Sequence, residues 1–231
     1  MLLDFATVEE IKLIEEIDKR FPQKSIMKDF NRYSVASAAN RINMAVEDLK
    51  KLSRSGCTRI NTPIEIVQNV WQHEQSLMYM VKLLGGSDRA INLAKYHDHT
   101  EAIVTDFTPL DNIVKAEKTC LERLAAKIIF EKFPQEYTTW LEYEEKKTSD
   151  AVLVGNVDKM EFTCYALYKE EKYPEMHDVL IEMWDDIATK VKIPSLKNVF
   201  EKLLAYKNGE SNDKSIYKEM KPYYDKLRFG L

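Results

Sequence analysis

The chain has 231 residues, 45% hydrophobic and 31% charged, with a formal net charge of −4. That acidic balance excludes a protein whose main work is to coat nucleic acid, which needs a basic field. Only 6 Gly and 7 Pro are present, which favours long helices over turn-rich β architecture.

Thr7-Val-Glu-Glu10 has the form of a capping box and predicts an amphipathic helix with Ile11, Leu13, Ile14 and Ile17 inward, ended by Phe21-Pro22. A second helix is expected from Ser34 to about Leu52, stopped by Ser53-Arg54-Ser55-Gly56. Residues 1–48 read as a helical extension packed on a core, and a helix-turn-helix reading of that second stretch fits poorly with an acidic chain. Ser53 to Pro63 reads as a loop carrying Arg54 and Arg59, with Pro63 in the first turn of a helix running to about Leu84. Gly85-Gly86 ends that helix and Ser87 caps the next.

After a turn at Phe107 to Asn112, helices are expected over Ile113–Phe133, from Pro134 through Tyr143, and from Ala151 to about Lys169. Three more are expected over Pro174–Val191, Ser195–Tyr206 and Lys214–Leu227, with the most loop-like segment at Lys207 to Asp213. No convincing strand is found. Cys57, Cys120 and Cys164 are an odd set without a CxxC, so a disulfide framework is not expected and a reducing compartment fits. No apolar run of about 18 residues suggests a membrane span, and the first residues lack a secretory pattern. The expected location is cytoplasmic.

The strongest functional signal is Tyr96-His97-Asp98-His99-Thr-Glu101-Ala-Ile-Val-Thr-Asp106. It holds two of the four histidines in the chain and three carboxylates. His97 and Asp98 are an adjacent nitrogen and oxygen donor of the kind that suits a divalent transition metal. Glu101, four after His97 and three after Asp98, shares their face if the stretch is a helix. His73 lies mid-helix among apolar neighbours, and Asp158 lies on a largely apolar helix, where a lone charge is costly unless paired or metal-bound. Taken singly, His73 reads as a hydrogen-bonded core histidine and Asp158 as a solvent-facing acid beside Lys159.

The order His, His-Asp, late Asp resembles the HD-domain metal-dependent phosphohydrolases, and most closely their 5'-deoxynucleotidase branch. Further residues carry the resemblance: Arg54-Ser-Gly56, Glu101-Ala-Ile-Val-Thr-Asp106, Thr108-Pro-Leu-Asp111-Asn112-Ile-Val-Lys115-Ala-Glu117-Lys118, Trp140-Leu-Glu-Tyr-Glu144 and Asp158-Lys-Met-Glu161. Three positions depart from the family pattern. Cys57 stands for a tryptophan that shapes the sugar pocket, Gln72 for an acidic residue, and Thr105 for the glycine of "GD".

The resemblance implies an all-α HD-domain helical bundle over residues 49–172, with extra helices at both termini, 1–48 and 173–231. It implies a divalent metal (Mn²⁺, Co²⁺ or another transition metal, with Mg²⁺ as a further option) held by His73, His97, Asp98 and Asp158. Glu101 and Asp106 are then catalytic, with Asp106 also a substrate contact and the pair a candidate second-metal site. Arg54, whose planar fork suits phosphate, and Lys115 would bind the phosphate; Arg59 competes with Arg54. His99 falls outside the ligand set and His177 receives no role. The implied reaction is hydrolysis of a deoxynucleoside 5'-monophosphate to deoxynucleoside and phosphate by a homodimer, without a nucleic-acid polymer or membrane as partner. The alternatives are an HD-type dNTP triphosphohydrolase or pyrophosphohydrolase, and a non-catalytic nucleotide-binding module.

Overall fold

Thr7 opens the first helix as its sequence predicts. Its hydroxyl accepts the Glu10 N–H at 3.1 Å and the Glu10 carboxylate accepts the Thr7 N–H at 2.7 Å, so two orphan donors of the first turn are satisfied reciprocally. The computed structural model describes residues 1–55, 57, 62–108, 111–177, 184, 187, 189–213 and 215–228. Among these the α-helices are α1 (Val8–Arg20), α2 (Ile26–Val35), α3 (Arg41–Leu49), α4 (Val70–Leu83), α5 (Asp88–Tyr96), α6 (Glu101–Val104), α7 (Lys115–Ile129), α8 (Pro134–Glu145), α9 (Ser149–Lys172), α10 (Pro194–Lys207) and α11 (Ser215–Arg228). The only extended pairing among the described residues is an isolated antiparallel bridge, Ser53 to Asn69. The fold is all-α, as expected, and the three cysteines are free thiols.

The chain divides into two compact units. The first comprises Met1–Arg59, Gln68–Trp71 and Tyr96–Leu141. Its core joins Ile14 and Ile17 of α1, Ile26, Phe30 and Tyr33 of α2, Ala45 and Leu49 of α3, all of α6 beyond Glu101, and Leu121, Leu124, Ile128 and Ile129 of α7. Each Leu, Ile, Val or Phe side chain among them, taken from water, stabilises the unit by about 1.5–3 kcal/mol. The second comprises Ile60–Val67, Gln72–Lys95 and Glu142–Leu231. There α9 packs against α10 and α11, burying Val154, Val157, Met160, Cys164, Phe200, Leu203, Met220 and Tyr224.

Several expectations are corrected. The helix expected over Ser34–Leu52 is shortened to α3, and the unexpected α2 ends at Val35 before it, the two separated by an extended Ala36 and a 3₁₀ turn at Ala38–Asn40. The break is satisfied by a long-range partner. Arg41, 4% exposed, donates to the carbonyls of Ser34, Ala36 and Ile128, each at 3.0 Å, and so caps the end of α2. The helix expected from Pro63 begins at Val70, preceded by a 3₁₀ turn at Ile64–Ile66. Gly85 takes φ +76°, and the Gly86 N–H returns to the Val81 carbonyl at 2.9 Å, which is the helix stop foreseen. Ser87 caps α5 by accepting the Ala90 N–H at 3.0 Å. At Pro174–Met176 the chain forms a 3₁₀ turn, and most of the rest of the helix expected to Val191 lies outside the described residues.

Candidate functional site

Each unit contains an imidazole beside a carboxylate that the sequence singles out. In the second unit, α4 carries His73 with no exposed surface, and α9 carries Asp158 and, one turn later, Glu161. His73 Nδ1 lies 2.7 Å from Glu161 Oε2, while Ser76 Oγ donates to Glu161 Oε1 at 2.7 Å. Glu161 is itself wholly buried, and such a carboxylate survives there only because both oxygens are partnered. With Glu161 ionised, Nδ1 carries the ring proton and Nε2 keeps its lone pair. That lone-pair nitrogen lies 3.1 Å from Asp158 Oδ1.

In the first unit, α5 stops at Tyr96, and His97 to Thr100 form a turn rather than a continued helix. The shared helical face expected for His97, Asp98 and Glu101 is therefore replaced by a tight turn, in which the Glu101 N–H donates to the Asp98 carbonyl at 2.9 Å. His97 Nε2 lies 3.0 Å from Asp98 Oδ2. His99 is buried with its ring against Tyr96 at 5.1 Å and Phe130 at 6.1 Å, a packing role.

Both donor pairs are spaced at about 3 Å, as neighbouring ligands each ~2.1 Å from one ion would be. Neutral imidazole with carboxylate is a donor chemistry that fits a borderline divalent metal. Glu161 supplies the orienting contact that metal-binding histidines ordinarily have. The sequence had placed it inside a motif without a role.

Glu101 heads the four-residue α6 and is buried. Burial, reinforced by the charges of Asp98 and Asp106, holds its carboxyl well above the usual carboxylate range, while Lys118 and Arg54 pull it partly back. Thr105 follows at φ +70°, ψ 162°, a region that is essentially glycine-only and costs about 1–3 kcal/mol for a side-chain-bearing residue. This accounts for the glycine that the resemblance places there. The turn aims Asp106 back at the Arg54 loop, where its carboxylate accepts the Ser55 N–H at 2.7 Å and its carbonyl accepts the Ser55 hydroxyl at 2.6 Å.

Arg54 is half-buried, its backbone N–H donating to the Gln68 carbonyl at 3.0 Å. Lys115 is exposed at the start of α7. Lys118, one turn on, was not singled out from sequence, yet its ammonium lies 3.4 Å from Glu122 and 3.3 Å from the Phe107 carbonyl. Burial lowers its proton affinity, but Glu122, Glu101, Asp98 and Asp106 outweigh that and hold it protonated. Spacing one helical turn from Lys115 was the available signal. Gly56, Arg59 and Pro109 lie outside the described residues.

Other motif residues serve the scaffold. Asp111 Oδ2 accepts both the N–H and the hydroxyl of Thr108, at 2.6 and 3.0 Å. Trp140 is buried in the core, and Glu142 accepts from Arg89 Nε at 2.9 Å and from the Thr148 hydroxyl at 2.6 Å.

Comparison with known proteins identifies the family. Residues 46–199 match the family model described as an HD domain. The chain is 32% identical over 175 residues to the protein named 5'-deoxynucleotidase HDDC2 of Xenopus laevis, covering 71% of this chain and 85% of that one. It is also 32% identical over 175 residues to the Dictyostelium discoideum protein of the same name, covering 65% and 88%. A crystal structure of the PH0347 protein from Pyrococcus horikoshii shares the fold, with a TM-score of 0.54 at 23% identity over 79% of this chain and 98% of that one. The chain belongs to the HD-domain family, in the branch of these relatives, and is an enzyme of the hydrolase class.

Proposed function

We propose that the chain is a metal-dependent 5'-deoxynucleotidase, cleaving a deoxynucleoside 5'-monophosphate to the deoxynucleoside and phosphate. The observation that carries the reading is Glu101, a buried carboxyl in the same tight turn as His97 and Asp98, whose burial and acidic neighbours raise its proton affinity. The names of the relatives support the substrate class. In this reading the metal is held by His73, His97, Asp98 and Asp158. The first two and the last offer a donor set able to hold an ion. When bound, a divalent ion lowers the pKa of water and neutralises phosphoryl oxygens.

The side chains do the rest. Glu161, at His73 Nδ1, would leave the Nε2 lone pair available to hold the ion. Protonated Glu101 gives its proton to the leaving 5'-oxygen, so that the deoxynucleoside departs as an alcohol. Asp106 accepts a hydrogen bond from the sugar or, with Glu101, takes a second cation. Arg54 grips the phosphate, Lys118 balances the charge of Asp98, Asp106 and Glu122, and Lys115 meets the phosphate from the exposed start of α7. Cys57, which stands for the sugar-pocket tryptophan, is buried with its N–H on the Arg54 carbonyl at 2.9 Å, so it acts by shaping the loop. The enzyme works in the cytoplasm as a homodimer, on a small nucleotide; no described helix is long and apolar enough to cross a membrane.

The test is phosphate release from dNMPs, NMPs and dNTPs with Mn²⁺, Co²⁺ or Mg²⁺. The reading expects inorganic phosphate from dNMPs in preference to the other two classes. Release of triphosphate or pyrophosphate from dNTPs, with dNMPs inert, would overturn it in favour of the triphosphohydrolase class. No turnover of any of them, with nucleotide still bound, would favour a binding module.

A further inference from the structure

The α1–α2 connection lies before residue 46, where the family match begins, yet it touches the Asp106 turn. Lys24 Nζ donates to the Asp106 carbonyl at 3.1 Å and sits 4.5 Å above the centre of the Phe107 ring. The Phe21 ring meets Phe107 edge-on at 5.1 Å. Arg20 grips Glu117 at the start of α7 through two bonds, 2.9 and 3.0 Å. The Met27 N–H donates to Asp18 at 3.2 Å, which ties the connection to itself.

These contacts fall on the part of the site that the chain holds least willingly. Thr105, at φ +70° and ψ 162°, stays in a glycine-only region only if its surroundings over-determine it. Those surroundings are specific. The two lone pairs of the Asp106 carbonyl are met by Lys24 and by the Ser55 hydroxyl, and its carboxylate by the Ser55 N–H. Ser55 belongs to the loop of Arg54, inside the family match. Lys24 comes from outside it.

We propose that the α1–α2 connection is a positioning clamp for the reaction, in which Lys24 holds the Asp106 carbonyl and thereby keeps the Thr105 turn aiming Asp106 and Glu101 at the substrate. The clamp adds to the nucleotidase reading and rests on it for its effect on turnover. It makes Lys24 a positioning residue. It also assigns work to the N-terminal segment: with Thr105 in place of glycine, the turn is not stable by its own backbone preference, so an outside contact supplies what glycine would supply.

The test uses the full chain with Lys24→Met, Lys24→Arg, Thr105→Gly and the double variant Lys24→Met/Thr105→Gly. Amide hydrogen exchange at Ser55 is read in the metal-free protein, and kcat and KM on a dNMP in the loaded one. Losing a charge-assisted bond should speed Ser55 exchange about tenfold, with helix-core amides unchanged. Turnover should fall about tenfold with KM within about twofold. Lys24→Arg should restore both, and Thr105→Gly should recover most of the loss in the double variant, because glycine needs no clamp. Unchanged Ser55 exchange in Lys24→Met would overturn the proposal, as would equal losses in the double and single variants. If the wild-type chain released no phosphate, the nucleotidase reading would fail, while the exchange data would still decide the clamp.

Discussion

The two imidazole–carboxylate pairs are held in opposite ways. His73 and Asp158 sit on long regular helices, and the buried Glu161 fixes the His73 ring from behind. Their geometry is inherited from helix packing, which is stiff. His97 and Asp98 sit on a four-residue turn, followed at once by a buried acid and a strained threonine. Asp106, at the end of that stretch, is held by hydrogen bonds from Ser55 and Lys24. One side is therefore built to hold, and the other to carry the chemical work. Buried acids and backbone strain are tolerated where they serve a reaction.

Glu101→Gln should break the working side most severely. Turnover should fall about 10²–10⁴-fold, the usual share of a general acid, while the four-donor metal site still binds its ion by calorimetry. The same variant has an expected stability signature in the metal-free protein. A carboxyl whose folded pKa is raised loses stability as pH climbs from the ordinary carboxylate range through its folded value. Glu101→Gln should thus melt above wild type at neutral pH, by about 2–4 °C for each kcal/mol relieved. The gap should close below about pH 4, where the unfolded carboxyl is protonated too.

On the holding side, Glu161→Gln leaves the fold's shape but removes the charge that orients His73. Metal affinity should drop about 10–100-fold, measured by competition with a chelating dye, with kcat at saturating metal far less affected. Lys118→Met should produce a smaller change of a different kind. Because Lys118 draws the Glu101 pKa down, its removal should move the alkaline limb of the kcat profile to higher pH. An alkaline limb that stayed in place would remove Lys118 from the site. Lys115→Ala should have the least effect, about a twofold rise in KM at most for an exposed cation.

Much of this organisation was legible in the chain. The capping box at Thr7, the stop at Gly85-Gly86 and the cap at Ser87 are local chemistry, and local chemistry can be read from local sequence. The candidate donors His73, His97, Asp98 and Asp158 stand out in the chain as unusual residues in apolar, helix-like surroundings. The helix break at Ala36 was not visible, because its carbonyls are satisfied by Arg41, which also reaches Ile128 far along the chain. The turn at His97 was misread as helix because Ala102, Ile103 and Val104 continue the apolar spacing. Nothing near Lys24 in sequence points to Asp106, 82 residues away. Glu161 and Lys118 lay within quoted motifs, but their roles follow from partners on other helices.

The central claim of the proposed function is that His73, His97, Asp98 and Asp158 serve a single metal. Its most direct test is Mn²⁺ binding by isothermal titration of the full chain, wild type beside Asp98→Ala and Asp158→Ala. The account predicts one tight site in wild type and its loss in both variants, because either substitution removes one of four donors from the same ion. Retention of wild-type affinity in one variant while the other loses it would contradict the account, since the two pairs would then not share an ion.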